Sequence, residues 1–181
     1  MIRWVLWLLG GAVLGGIVHL ATVLALPRTA TQDAYSRLAN STLVNAFVPL
    51  PEAEAAEPII PFRDPAFATV VCRYDLTAGP LKLQAPVSQA YTSMSFYTRL
   101  GVPYYSINDR AAGRRVIELE LMTPQQRAQL PEEEDTTAAD RLIVESPTPA
   151  GLILVRALAP EPGLMPMARE ALTNARCGVQ Q

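Results

Sequence analysis

The sequence predicts an α+β protein that is mainly β, in which an N-terminal transmembrane helix precedes a small antiparallel β-sandwich-like domain with flanking short helices. Three observations support this. An uncharged apolar run opens the chain, β-type segments with a turn about every ten residues follow between 67 and 158, and helix-type spacing appears near both ends of the domain. We therefore divide the chain into an anchor at 1–27, a short helix and proline-rich connector at 28–65, and a β-rich domain at 66–181.

The predicted anchor begins at Trp4 and ends at Leu26, and it contains no Asp, Glu, Lys or Arg. About 20 such residues cross the hydrocarbon core of a bilayer, and Trp4 and Trp7 suit the headgroup level. The alternative is a cleaved signal peptide, whose apolar core spans only about 7–15 residues. The longer run, and the lack of a small-residue cleavage site before Pro27, favour a retained anchor held by membrane lipid.

Two features inside the anchor suggest interactions within the membrane. Gly11 and Gly15 are spaced as in close-packed helix pairs, which suggests a homodimer, although Gly is common in membrane spans. His19 is the only histidine of the chain and lies within the run. It has either a functional role such as proton relay or a hydrogen bond to a neighbouring helix.

After the anchor, Thr31 is a candidate cap for a short helix that ends near Asn40. Residues 49–65 contain five prolines, which remove backbone donors and favour an extended connector. Strand signals follow, and we predict strands at 67–74, 81–84, 91–99, 104–107 and 115–121.

The remaining elements are helices and one hairpin. A capping box from Thr123 to Gln126 predicts a short helix, with Pro124 at its first position. Residues 142–145 and 152–158 are expected to form a final hairpin. Residues 164–177 carry apolar side chains at helical spacing and predict a terminal helix.

The alternation in residues 91–97 places hydroxyl side chains on one strand face. These residues are Tyr91, Ser93, Ser95 and Tyr97. Such a face is a candidate binding surface for a polar ligand or a glycan. The alternative is a hydrogen-bonded rim of the sandwich.

Composition excludes several functions. The net charge of −2 gives no general field for attracting nucleic acid. Because the predicted domain lacks histidine, Ser-His-Asp and Cys-His catalysis and His-based metal sites are excluded, and we predict no catalytic residue, metal or cofactor. Asp75 and Asp109 follow strands and are either turn-capping residues or a carboxylate pair for catalysis. The acidic run at 132–135 is expected to be a solvated loop and not a calcium site.

Cys72 and Cys177 are the only cysteines. A bridge would close a loop of about 100 residues and suits an oxidising compartment. Two unrelated thiols fit the spacing equally well.

Three motifs carry a resemblance to a known family. They are Cys-Arg-Tyr-Asp-Leu at 72–76, Tyr-Thr-Ser-Met-Ser-Phe-Tyr at 91–97, and Ile-Asn-Asp-Arg at 107–110. Together with the Arg176-Cys177 pair, they resemble the family called domain of unknown function 1254. The likeness is to its short, membrane-anchored bacterial members and covers roughly residues 64–177 and the anchor.

The resemblance implies a β-rich, sandwich-like fold in the inner membrane of a Gram-negative bacterium, and it favours a Cys72–Cys177 disulfide. The candidate binding set also includes Arg73, Tyr105, Asn108 and Asp109. In longer relatives a domain of unknown function 1214 follows on the same chain, which suggests that a separate protein supplies it here.

We therefore expect a single-pass inner-membrane protein whose domain faces the periplasm. Its expected role is that of a non-enzymatic interaction or ligand-binding module acting with another envelope protein. The alternative is a carboxylate-dependent hydrolase acting on envelope glycans.

Overall fold

A computed structural model describes residues 1–29, 33–51, 59–60, 63–112, 115–130 and 142–179. The chain separates into two compact units, residues 1–33 and 34–181. The predicted cap at Thr31, the acidic run at 132–135 and much of the predicted connector lie outside the described residues.

The first unit contains helix α1 (Ile2–Thr29). Its segment Ile2–Leu26 is long and apolar enough to cross a membrane. At about 1.5 Å of rise per residue it extends about 37 Å, compared with about 30 Å for a hydrocarbon core. By length and composition, a spanning helix and a signal sequence both fit this segment.

In the second unit, the described residues form two sheets, four short α-helices and one turn of 3-10 helix at Pro162–Leu164. The helices are α2 (Ala34–Ala39), α3 (Asp109–Ala112), α4 (Pro124–Arg127) and α5 (Met165–Leu172). The strands are β1 (Phe47–Pro49), β2 (Phe67–Asp75), β3 (Leu81–Pro86), β4 (Thr92–Thr98), β5 (Pro103–Asn108), β6 (Val116–Met122), β7 (Ile143–Glu145), β8 (Ala150–Leu158) and β9 (Arg176–Val179).

The five-stranded sheet has the order β1-β2-β8-β4-β5, and every neighbouring pair is antiparallel. The four-stranded sheet has the order β7-β6-β3-β9, in which only the β6–β7 pair is parallel among the described strands. The predicted fold class is therefore confirmed: a long apolar helix precedes a mainly antiparallel β domain with short helices.

Alternate residues of both sheets meet in one core. Met94 and Ile153 from the five-stranded sheet and Leu83 and Leu119 from the four-stranded sheet belong to the same buried cluster. Two-residue alternation places these side chains on the inner face of each sheet. Helix α5 adds Leu172 to this cluster, and its position beside β2 creates the cleft described below.

A disulfide links the two sheets. Cys72 on β2 is fully buried and bonds to Cys177 on β9, with the two Cα atoms 6.6 Å apart. The preference for a bridge, which came from the family resemblance, is therefore confirmed. The bridge fastens the edge strand β9 to the central part of the five-stranded sheet.

Two predictions for the C-terminal part are wrong. The predicted helix 164–177 ends at Leu172, and Arg176–Val179 form β9 instead. Without β9, one edge of β3 would have unpaired backbone groups, and residues 176–179 form hydrogen bonds to them. The disulfide to Cys72 also fixes the position of Cys177. Local helical spacing contains no information about this distant partner.

The predicted final hairpin is also wrong. Strand β7 pairs with β6, whereas β8 lies between β2 and β4 in the other sheet. Residues 147–149, which include two prolines, therefore carry the chain from one sheet to the other. The capping box before α4 is confirmed: Thr123 Oγ1 accepts from Gln126 N at 3.2 Å, and Gln126 Oε1 accepts from Thr123 N at 2.9 Å.

Candidate ligand-binding cleft

A cleft of about 690 Å³ opens where β2 begins and β8 ends. One wall comes from β1 and the first residues of β2, and the other comes from residues 159–166 and helix α5. Ligand pockets in proteins commonly have volumes of about 300–1,000 Å³. The cleft is therefore large enough to hold a small organic molecule.

The walls of the cleft are mostly apolar. Besides Phe67 and Met165 they include six prolines, namely Pro49, Pro51, Pro65, Pro160, Pro162 and Pro166. Proline has no backbone N–H and fixes φ, so these walls offer few donors and lose little conformational entropy when a ligand binds. Such a surface favours a hydrocarbon ligand over one rich in hydroxyl groups.

Among the described residues that line the cleft, the charged side chains are arginines. Arg63 and Arg169 are present, and none of the described lining residues is acidic. An Nη atom of Arg63 donates a hydrogen bond to the carbonyl oxygen of Pro51, which holds the guanidinium at the wall.

The Arg63 guanidinium is incompletely satisfied. Its Nε is buried and makes no hydrogen bond to any residue that the structure describes. Burial lowers the pKa of Arg63, because desolvation disfavours the charged form. A positive group in this position gains stability from an anion that reaches it.

The hydroxyl face predicted on β4 is separated from the cleft-lining strand β2 by β8. Ser93 pairs across the sheet with Arg156 of β8 on one side and Asn108 of β5 on the other, and Arg156 pairs with Thr69. Thr69 lines the cleft. One cross-strand row therefore joins two predicted residues, Ser93 and Asn108, to the cleft wall.

Arg156, which the sequence analysis did not select, organises this row. Its guanidinium carbon lies 6.0 Å from the centroid of the Phe67 ring, and its Nη2 lies 3.5 Å from Ser95 Oγ. Ser95 Oγ is in turn 3.1 Å from Ser106 Oγ. Ser93 and Ser95 are only 5% and 6% exposed, so their hydroxyls mainly stabilise the sheet face.

Arg73 and Tyr97 lie at the other end of the same face. The Arg73 and Arg99 guanidinium carbons are each 5.3 Å from the centroid of the Tyr35 ring on α2. Arg73 Nη2 also lies 3.4 Å from Thr42 O, and Tyr97 packs against the buried cluster that contains Leu38. These contacts attach α2 to the sheet.

The structure does not bring the remaining predicted residues together. Tyr105 pairs with Phe96 and packs against the core, with ring centroids 5.7 Å apart, so it lies on the opposite side of the sheet from Ser95. Tyr91 precedes β4, and its carbonyl oxygen accepts from Ser88 Oγ at 3.0 Å.

Asp75 and Asp109 lie at opposite ends of the five-stranded sheet. Asp75 is the last residue of β2. Asp109 follows Asn108, and Asn108 lies in the same cross-strand row as Thr69 of β2, which precedes Asp75 by six residues. Six residues correspond to about 20 Å along a strand, but paired glycosidase carboxylates stand about 5–10 Å apart. The two aspartates therefore do not form a catalytic pair.

The local bonds of Asp75 explain its position. Asp75 Oδ1 accepts from Thr77 N at 2.9 Å and from Thr77 Oγ1 at 2.7 Å. These bonds lower the pKa of Asp75. Its backbone N–H donates to Asn45 Oδ1 at 2.8 Å, and its carbonyl accepts from Asn45 Nδ2 at 2.9 Å. Asp75 caps a turn, as the simpler interpretation predicted.

Next to β5, Asn108 Oδ1 accepts from Ala111 N at 2.9 Å and so caps α3. Asp109 Oδ1 is buried and makes no hydrogen bond to any of the residues described. Asn108 therefore has a structural role in addition to its place in the row beside the cleft.

The cleft itself was not predicted. Its described walls come from residues within 49–51 and 63–70 on one side and within 159–173 on the other, which are distant in sequence. The one local signal is the unusual density of prolines in these two segments, which we interpreted as marking a connector and the end of a hairpin.

One solved structure shares this fold. The domain is similar to the VPA0106 protein from Vibrio parahaemolyticus, with 12% sequence identity and a TM-score of 0.58, over 82% of this chain and 34% of that chain. A weaker similarity, with 13% identity and a TM-score of 0.45, links 64% of this chain to 32% of an uncharacterized protein from Burkholderia cenocepacia. The chain thus spans about a third of the length of these two proteins.

None of the curated protein sequences matches the chain. A family model described as "Protein of unknown function (DUF1254)" matches residues 44–177, which is well over half of the chain and contains β1 to β8 and the first two residues of β9. The chain therefore belongs to the family of proteins of unknown function 1254.

Proposed function

We propose that this protein is a membrane-anchored, non-enzymatic binding module that faces the periplasm and acts with another envelope protein. The observation that carries the binding role is the 690 Å³ cleft, which combines apolar walls with an incompletely bonded arginine. Ligand sites are typically apolar concavities with a few polar groups that orient the ligand.

Two features support the location. Helix α1 has the length and composition of a membrane span. The Cys72–Cys177 disulfide suits an oxidising compartment, because thiols in the bacterial cytoplasm are kept reduced. Together they favour a domain outside the cytoplasmic membrane.

Family membership supports the idea of a partner. In longer relatives of this family, a domain of unknown function 1214 follows on the same chain. We propose that a separate protein carrying a domain of unknown function 1214 binds this domain.

Native co-purification tests the partner. The full-length protein, tagged at its C-terminus, is extracted from membranes under mild conditions, and proteins that come with it are identified by mass spectrometry. A chain in which residues 34–181 are replaced by an unrelated folded domain is the matched control. We expect a protein of the 1214 family to co-purify with the full-length tagged chain and not with the control. If no such protein co-purifies with the full-length chain, this part of the proposal is contradicted.

The geometry argues against the alternative hydrolase. A carboxylate mechanism would require two acidic groups around one reactive bond, but Asp75 and Asp109 are separated by the length of the sheet. The Asp75→Asn variant should melt at a lower temperature, because Asp75 caps its turn. An envelope-glycan hydrolysing activity of the wild type that Asp75→Asn and Asp109→Asn abolish without loss of fold would restore the enzyme hypothesis.

A further inference from the structure

We infer that the cleft binds a single-chain amphiphile with one anionic headgroup, and that its hydrocarbon chain lies along the proline-rich walls while its headgroup contacts Arg63. This inference rests on the proposed binding role and specifies the ligand class. The shared chemistry is a linear acyl chain attached to a carboxylate or a phosphate. A free fatty acid and a monoacyl phospholipid both have it.

The walls select for a hydrocarbon chain. Phe67 and Met165 contribute partly exposed apolar side chains to the cleft, and the lining prolines have no backbone N–H to donate. Burial of an acyl chain there removes apolar surface from water on both partners, which is favourable in proportion to the area. A glycan would leave most of its hydroxyl groups without partners.

Arg63 selects for a negative headgroup. It is held at the cleft wall by its bond to Pro51 O, while its Nε is buried without a hydrogen bond to the described residues. A carboxylate or phosphate oxygen at this nitrogen would form a charge-assisted hydrogen bond. The same positive charge of Arg63 would disfavour a cationic amphiphile at this position.

The volume is consistent with one such ligand. At about 690 Å³ the cleft lies within the range of small-molecule sites and is small for a two-chain lipid. Its open side allows a chain longer than the cleft to extend into solvent or towards a partner. The geometry therefore fits one acyl chain.

Photolabelling of the full-length chain tests this inference. The protein is reconstituted in phosphatidylcholine vesicles and exposed to a 12-carbon diazirine probe ending in a carboxylate. Two matched probes end in an alcohol or a trimethylammonium group. Labelled peptides are then quantified by mass spectrometry.

We expect the carboxylate probe to label peptides containing Phe67 or Met165 at least about tenfold more than the alcohol probe, as one good charge-assisted bond allows. All three probes partition into lipid and should label α1 to similar extents. Labelling of α1 therefore reports membrane insertion separately. If α1 is labelled but the cleft shows no preference for the carboxylate, the ligand inference fails while the anchor stands.

Variants identify the headgroup contact. Arg63→Gln should reduce cleft labelling by the carboxylate to the level of the alcohol, and Arg63→Lys should retain part of the preference. Arg115→Gln is the matched control, because Arg115 is exposed and does not line the cleft. Unchanged carboxylate labelling in a folded Arg63→Gln protein, or equal labelling by the alcohol probe, would overturn the inference.

Competition distinguishes the two natural sources. Displacement of the probe by unlabelled dodecanoate would identify a free fatty acid, and displacement by a 12-carbon monoacyl phosphatidylglycerol would identify a phospholipid headgroup. If neither compound displaces the probe from Phe67 and Met165, the inference is wrong.

Discussion

At the scale of single residues, Tyr74 shows how one buried hydroxyl organises the core. Its Oη lies 2.9 Å from Ser146 Oγ and 3.1 Å from Tyr104 Oη, and its ring is fully buried. Gly151 lies opposite Tyr74 on β8, and only a residue without a Cβ leaves room for this hydroxyl. The network joins β2, β5 and the segment after β7, and so helps to hold the two sheets together.

We expect Gly151→Ala to lower the free energy of unfolding by about 2–3 kcal/mol, as overpacking of a core does. A Cβ at this position would stand 2.2 Å from Tyr97 O and 2.5 Å from Tyr74 Oη. Denaturant unfolding measures the change. Gly178→Ala is the matched control, because a Cβ there meets nothing within 4 Å. Equal stabilities of the two variants would disprove the packing argument.

The same network predicts an alkaline transition. Burial raises the pKa of Tyr104 far above its ordinary value of about 10. Because the unfolded chain loses this proton near pH 10 and the folded chain retains it, stability is unaffected below that pH and falls as pH rises above it. Unfolding measured at pH 9 and 11 should show a smaller loss in Tyr104→Phe than in the wild type. An identical loss in both proteins would exclude Tyr104 as the cause.

At the scale of secondary structure, β9 shows what binds the four-stranded sheet to the five-stranded one. This strand pairs with β3, and its Cys177 is bonded to Cys72 on β2. The exposed Lys82–Glu118 ion pair on the four-stranded sheet, at 3.1 Å, contributes at most about 1 kcal/mol. That ion pair lies within one sheet, whereas the disulfide is a covalent link between the two sheets.

Removal of the disulfide should lower stability by about 2–5 kcal/mol, because a separation of 105 residues leaves a long loop free in the unfolded chain. The Cys72→Ala/Cys177→Ala double variant is compared with the wild type by denaturant unfolding, with and without reductant. Reductant should destabilise the wild type and leave the double variant unchanged. A wild type that is insensitive to reductant would contradict a stabilising bridge.

The strands show how far local sequence specifies this fold. Residues 67–74 were predicted and form β2 over Phe67–Asp75, because alternation and β-branched residues are local signals. Strand β9 and the parallel pairing of β7 were missed because each depends on a distant strand edge. The hydroxyl face on β4 followed from alternation, whereas Arg156 and the cleft required knowledge of which strands are neighbours.

At the scale of the whole molecule, the two units of the chain suit different surroundings. Helix α1 has apolar residues suited to lipid, whereas the second unit buries its own core between two sheets. The disulfide adds a preference for an oxidising compartment. We therefore propose that α1 holds the protein in the membrane and that the β domain lies on the periplasmic side.

Protease accessibility in spheroplasts tests this claim most directly. Full-length protein with a C-terminal epitope is expressed in a Gram-negative host, and proteinase K is added to intact spheroplasts, with a cytoplasmic protein as the control for lysis. We predict that the epitope disappears while the cytoplasmic control survives and while undigested chains remain in carbonate-washed membranes. An epitope protected until the spheroplasts are lysed, or a chain released by carbonate, would contradict the account.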